Sequence, residues 1–216
     1  MDRRRFLASG TALAALGYAA PSLAASYARE WEIGPVIRGR NYSVNMPPHP
    51  DTAAEGWFFD FPGPRRQDGH VHYVTRRTGP LDRARGLRLR YRIDARPGTR
   101  FVPQERPDAP PLLSLYIQRA GDDWRARGDT RFHRWYSPDS RVIELTPGTH
   151  ELVIWFDENW ISVMGSDRDR SPREFAATLA NAARIGMTFG THGGRGHGIF
   201  ATQPARFTLL DFSVLA

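Results

Sequence analysis

Between Leu87 and Asp94 the chain places an apolar residue at every second position: Leu87, Leu89, Tyr91 and Ile93. Arg88, Arg90, Arg92 and Asp94 fill the alternate positions. A helix would scatter these arginines around its circumference, whereas a strand sends them all to one face. The segment therefore belongs to a sheet with one face on a core and the other in water, which is the habit of antiparallel sheets.

Further strand signals surround it. Gly56–Phe61 is an aromatic run closed by Pro62-Gly63-Pro64, and His70–Thr75 alternates, with Val71 and Tyr73 expected to point inward. Arg96–Pro111 reads as a Pro-rich loop and Leu112–Gln118 as a buried strand. Arg141–Leu145 and His150–Asp157 read as a hairpin turned by Pro147-Gly148. Ile185–Thr191 and Ala205–Leu215 are two closing strands. One helix is expected over residues 172–184: Ser171 as N-cap, Pro172 at the first turn, Glu174 completing a capping box, and Phe175, Leu179 and Ala183 at helical spacing. Aromatic residues make up 12% of the chain, with 20 Gly and 17 Pro, so short strands and many turns are favoured over long helices.

The N-terminus is of another kind. Arg3-Arg4-Arg5-Phe6-Leu7 precedes a short apolar run, Ala8–Ala20, and the small-residue stretch Ser22-Leu23-Ala24-Ala25. This resembles a twin-arginine signal peptide, although Asp2 stands where Ser or Thr is usual and Ala8 where Lys is common. The resemblance implies passage through the twin-arginine export machinery, cleavage near 24 or 25, and a periplasmic or secreted product. The apolar run is too short to span a bilayer and no later segment is apolar enough, so no membrane insertion is expected after cleavage. Residues 26–56, centred on Pro47-Pro48-His49-Pro50, read as an irregular N-terminal arm and residues 57–216 as a β-sandwich domain.

The chain has no Cys, which removes disulfides and thiolate chemistry. All 30 basic residues are Arg and the formal charge is +7, or +5 once residues 2–5 are cleaved away. Arginine forks suit carboxylates and sulfates, and in an exported protein a charged envelope glycan is a better anionic partner than nucleic acid. The excess is modest and spread along the chain.

Ile185–Gly190 and Ala205–Val214 are similar to the last two strands of the galactose-binding-like jelly-roll group, which includes many carbohydrate-binding modules. That resemblance implies an all-β antiparallel sandwich of jelly-roll type, with one short helix, that binds sugars on a sheet face or at its end loops. It implies no cofactor.

Sugars present apolar C–H faces rimmed by hydroxyls, so their sites combine flat aromatic rings with hydrogen-bonding side chains. The densest such mixture runs from Asp123-Trp124-Arg125 to Arg134-Trp135-Tyr136. Trp160, after Asp157-Glu158-Asn159, is a candidate lid, and the Gly-rich loop after Thr191 offers His192, Arg195 and His197. That loop leads into a strand and lacks Gly-Lys-Ser/Thr, so it is neither a dinucleotide fingerprint nor a Walker loop. We expect segments 122–136 and 192–198 to share one rim of the sandwich. His70 and His72 lie on one strand face and form at most part of a metal site, and none is assigned. No nucleophile elbow, His-Glu-x-x-His or Ser-His-Asp order is present. The sequence therefore leans to a non-catalytic glycan-binding protein, with a polysaccharide hydrolase or lyase and an envelope assembly factor as alternatives.

Overall fold

The computed structural model describes residues 27–216; the signal sequence read over residues 1–25 lies outside the described residues. The first half of the described chain holds β1 (Trp31–Gly34), β2 (Val36–Ile37), β3 (Arg40–Asn41), β4 (Asp51–Thr52), β5 (Trp57–Asp60), β6 (Tyr73–Arg77), β7 (Gly86–Ala95) and β8 (Phe101–Pro103). The second half holds β9 (Leu112–Arg119), β10 (Arg134–Tyr136), β11 (Ile143–Glu144), β12 (Gly148–Trp155), β13 (Ile161–Ser162), helix α1 (Pro172–Ala180), β14 (Ala182–Gly190), β15 (Ile199–Ala201) and β16 (Ala205–Leu215).

Twelve of these strands form a seven-stranded sheet, ordered β1-β6-β14-β9-β10-β13 with β11 also on β9, and a five-stranded sheet, ordered β12-β7-β16-β5-β4; β2 with β3 and β8 with β15 make two small two-stranded pairs. The pairings are antiparallel. The architecture is an all-β sandwich. On β7, Leu87, Leu89, Tyr91 and Ile93 are buried, while the intervening Arg88, Arg90, Arg92 and Asp94 face outward.

Aromatic rings close the space between the sheets. Phe59 and Phe207 stack at 5.1 Å on neighbouring strands of the five-stranded sheet, and Phe189 from the other sheet meets them edge-on at 5.7 and 5.8 Å. Helix α1 closes one end of the core, where Phe175 lies 4.9 Å from Trp135 and 6.0 Å from Trp160. Burying an aromatic side chain contributes about 2–3 kcal/mol, so this cluster is a major part of the stabilisation.

Five expectations are corrected. The stretch read as an irregular arm supplies β1, whose Trp31 and Ile33 are wholly buried in the core. The Pro147-Gly148 turn makes no hairpin: β11 pairs with β9 in one sheet and β12 with β7 in the other, with buried Leu145 pinning the crossing. Helix α1 ends at Ala180, because pairing of Ala182 with Arg119 draws the next residues into β14. The Ser171 hydroxyl bonds to Ser166 at 2.7 Å instead of capping the helix. Finally, Tyr73 points away from the core. Val71 bridges to Ile199 outside any regular strand, the alternation breaks at His72, and Val74 becomes the inward residue.

Candidate binding cleft

Alternation along β9 turns Leu113, Leu115 and Ile117 into the core and leaves Ser114, Tyr116 and Gln118 on the outer face of the seven-stranded sheet. Strand register then sets Thr75, Gly186, Tyr116, Tyr136 and Ile161 in one row across five strands. Tyr73, Thr188 and Ser114 form the neighbouring row. Tyr73 meets Tyr116 edge-on at 5.0 Å, and the Tyr73 and Tyr136 hydroxyls are 2.8 Å apart. Burial pushes the Tyr73 and Tyr116 hydroxyls well above the usual tyrosine range and raises that of Tyr136, so all three are neutral near pH 7.

A loop from Gly121 to Gly128 leans over this patch. Its anchor is the Asp122 carboxylate, on a side chain 1% exposed, which accepts hydrogen bonds from Gln118 Nε2 at 2.8 Å and the Trp124 backbone N–H at 3.2 Å. Arg134 Nε lies 3.1 Å from the same carboxylate. The Arg134 guanidinium sits 4.7 Å from the Trp124 ring centre and donates to the Trp124 carbonyl at 3.2 Å. A buried charge is tolerated only when paired and hydrogen-bonded, and Asp122 and Arg134 satisfy that condition for each other.

Beside Tyr136 opens a cleft of about 650 Å³, lined by Arg134, Tyr136, Asp139, Asn159, Asp167, Arg170, His192, Arg195 and His197, among others. Arg195 is buried and donates to the Ser137 carbonyl and the Asp139 carboxylate. Burial lowers its pKa, and Asp139 opposes that shift. His192 Nδ1 lies 3.3 Å from Asp139, His197 Nδ1 is 2.6 Å from Glu105, and Arg170 Nε donates to Asp167 at 2.7 Å. The lining holds three arginines against two aspartates, and each arginine has a carboxylate partner: Asp122, Asp167 and Asp139.

Glycine lets the 192–198 loop settle onto this face. At Gly196, with φ +75°, a Cβ would lie 2.3 Å from the Tyr73 ring. At Gly198, with φ +96°, it would lie 2.7 Å from His72 Nε2. Both the backbone conformation and the space require the missing side chain. His72 Nδ1 donates to the Gly196 carbonyl at 2.7 Å, which leaves the buried Nε2 bare. His70 is its neighbour, with ring centres 4.6 Å apart. Among the described residues no group of three or more His, Asp or Glu is arranged to hold a metal ion.

The cleft brings together Arg134, Tyr136, His192, Arg195 and His197 from the residues nominated by sequence. Trp124 lines an adjoining recess, and Asp123 and Arg125 sit on the loop beside it, 4.0 Å apart and partly exposed. Trp135 and Trp160 are corrections: both are fully buried against Phe175, and their indole N–H groups donate to the Phe132 and Trp155 carbonyls, so neither offers a ring to a ligand. Trp155, 41% exposed, lies on β12 of the other sheet beneath Arg85. Sequence reasoning missed Tyr73, Tyr116, Asp139 and Asp167, while Asn159, from the polar run before Trp160, does line the cleft. Strict alternation along β9 was the available signal for Tyr116; none marked the others.

No protein-family model matches this chain, and no curated protein is similar to it. Among solved structures, the chain is similar to a xylan-binding module, CBM15, at a TM-score of 0.39 and 14% identity, over 85% of this chain and 92% of that one.

Proposed function

We propose that the cleft binds a carbohydrate, as part of a polysaccharide met outside the cytoplasm, and that the protein performs no chemistry on it. The observation that carries this reading is the pairing of donors and acceptors around an open cavity: Arg195, Asn159 and His192 beside Asp139 and Asp167, with neutral tyrosine behind them. A sugar hydroxyl both donates and accepts, and adjacent hydroxyls match alternating guanidinium and carboxylate groups. The location rests on the twin-arginine resemblance of residues 1–25.

An acidic sugar is the finer expectation. Arginines exceed aspartates by one in the lining, which favours an anionic unit over a cationic one. A non-catalytic role is favoured because the carboxylates are engaged as ion pairs. Asp167 is held below the usual carboxylate range chiefly by its hydrogen bond from Arg170, which makes it a poor general acid. The arrangement best suited to proton transfer is His192 beside Asp139, and release of unsaturated or newly reducing ends from polysaccharide would favour a lyase or hydrolase instead.

The test is calorimetric titration of the protein with a panel of neutral and uronate-containing oligosaccharides, repeated with His192→Ala and Arg195→Gln. Binding by the parent protein, weakened about tenfold or more in each variant, is the expected result. A parent protein that binds no member of the panel, or folded variants with unchanged affinity, would refute the proposal.

A further inference from the structure

Next to the cleft, and sharing Tyr73 with it, lies a recess of about 110 Å³ lined by Tyr73, Thr75, Tyr116, Gln118, Trp124 and Arg184, among others. Its floor holds one of several buried polar atoms left without a partner among the described residues, and this one, unlike Tyr91 Oη or Trp57 Nε1, lines a recess. Tyr116 is wholly buried, yet its hydroxyl has no hydrogen-bond partner among the described residues, whereas the Tyr73 and Tyr136 hydroxyls satisfy each other. Buried polar groups are seldom left unpaired, and one that lines a recess points to a partner supplied from outside.

The chemistry of that partner follows from the walls. The charged side chains of the recess, Glu32 and Arg184, pair at 3.2 Å, and Arg184 Nε also donates to Thr75 Oγ1 at 3.0 Å. The recess therefore carries no unbalanced charge. A neutral Tyr116 hydroxyl can both donate and accept, which fits an alcohol better than a carboxylate. The volume, somewhat below the roughly 150 Å³ of a cavity that holds a benzene ring, suits the hydroxyl-bearing edge of a sugar ring and not a whole oligosaccharide.

The outer wall is built at a cost. Trp124 has φ +64° and Ala126 φ +53°, in the left-handed region that disfavours side chains by roughly 1–2 kcal/mol per residue. Arg134 and Asp122 hold Trp124 there, edge-on to Tyr73 at 5.5 Å. Such strain persists where surrounding contacts over-determine it, commonly at ligand sites.

We propose that this recess is a second sugar subsite, taking the hydroxyl edge of a neutral unit in the same chain whose neighbouring unit occupies the cleft. Tyr116 makes the hydrogen bond and Trp124 forms the wall. The inference rests on the reading of the cleft as a carbohydrate site. The experiment compares the parent protein, Tyr116→Phe and Trp124→Ala by calorimetry, using the oligosaccharide that binds the cleft at lengths from two to six units. Tyr116→Phe is expected to keep the parent unfolding midpoint or exceed it, to bind the shortest chain as the parent does, and to bind longer chains about tenfold more weakly. Trp124→Ala should share the length-dependent loss. Equal affinity at every length, or an equal loss at every length, would overturn the second subsite while leaving the cleft standing. A parent protein that binds no chain would overturn the cleft reading itself, and this inference with it.

Discussion

The Tyr73 and Tyr136 hydroxyls are 2.8 Å apart although the residues stand 63 positions apart in the chain and their strands are separated by β14 and β9. Three strand spacings are roughly 14 Å, a gap that two tyrosines bridge only by leaning toward each other. Thr188 and Ser114, the small outward residues between them, leave the room to do so. The pair forms a polar wall between the cleft and its neighbouring recess.

Breaking that pair should expose its energetics. Tyr73→Phe and Tyr136→Phe each leave the other hydroxyl buried without its partner, so each should cost about 1–3 kcal/mol in urea unfolding. The double variant should cost less than the sum of the two. Strictly additive losses would show that the hydroxyls do not depend on each other.

Gly196 and Gly198 should tolerate no side chain. Gly196→Ala drives a methyl into the Tyr73 ring, and Gly198→Ala drives one into His72, each from a left-handed backbone. Each is expected to lower stability by about 1–3 kcal/mol and to weaken sugar binding by displacing His192 and Arg195. Thermal melts and titrations matching the parent protein would refute this. Gly193→Ala, where the nearest heavy atom is the end of the Arg106 side chain at 3.4 Å, serves as the mild control.

Sequence pattern exposed part of this molecule and hid the rest for identifiable reasons. The Leu87–Ile93 alternation was legible because a half-buried strand leaves a period-two signature that local sequence carries. Arg134 and His192 were found as members of dense polar clusters, and the sandwich brings those clusters to one cleft. Trp135 and Trp160 were misread because tryptophan composition is the same for a sugar platform and a core filler; only the position of Phe175 on α1 separates them. Tyr73 was misplaced because the strand phase breaks at His72, an event set by the Val71–Ile199 bridge across the fold. The hairpin at Pro147-Gly148 failed similarly, since turn residues specify a reversal but not the sheet it enters.

The two misread tryptophans should behave as core residues. Trp135→Ala and Trp160→Ala should each destabilise the fold by about 3–5 kcal/mol, measured by denaturant unfolding. A loss below 1 kcal/mol in either would place that ring outside the core.

Acid should destabilise the fold through His72. Burial, with His70 beside it, lowers its pKa from 6.5 to about 4, opposed by the bond to the Gly196 carbonyl; His197 lowers it further and Glu105 raises it. His70 is lowered by burial too and acts in the same direction. Between pH 6.5 and 4 the unfolded chain takes up a proton that folded His72 refuses, so this contribution is complete above pH 6.5 and is lost as pH falls toward 4. The loss amounts to about 3 kcal/mol at most. Unfolding free energies across this range should show the decline, and His72→Asn, whose amide can replace the Nδ1 donor, should flatten it. An equal slope in both proteins would assign the acid sensitivity elsewhere.

The claim that the outer face of the seven-stranded sheet holds the ligand is tested most directly by backbone amide chemical-shift mapping during titration with a binding oligosaccharide. The largest shifts are expected in residues 134–139, 159–167 and 192–197, with those of β7 and β16 unmoved. Shifts centred on Trp155 and the arginine face of β7, with the cleft silent, would contradict it.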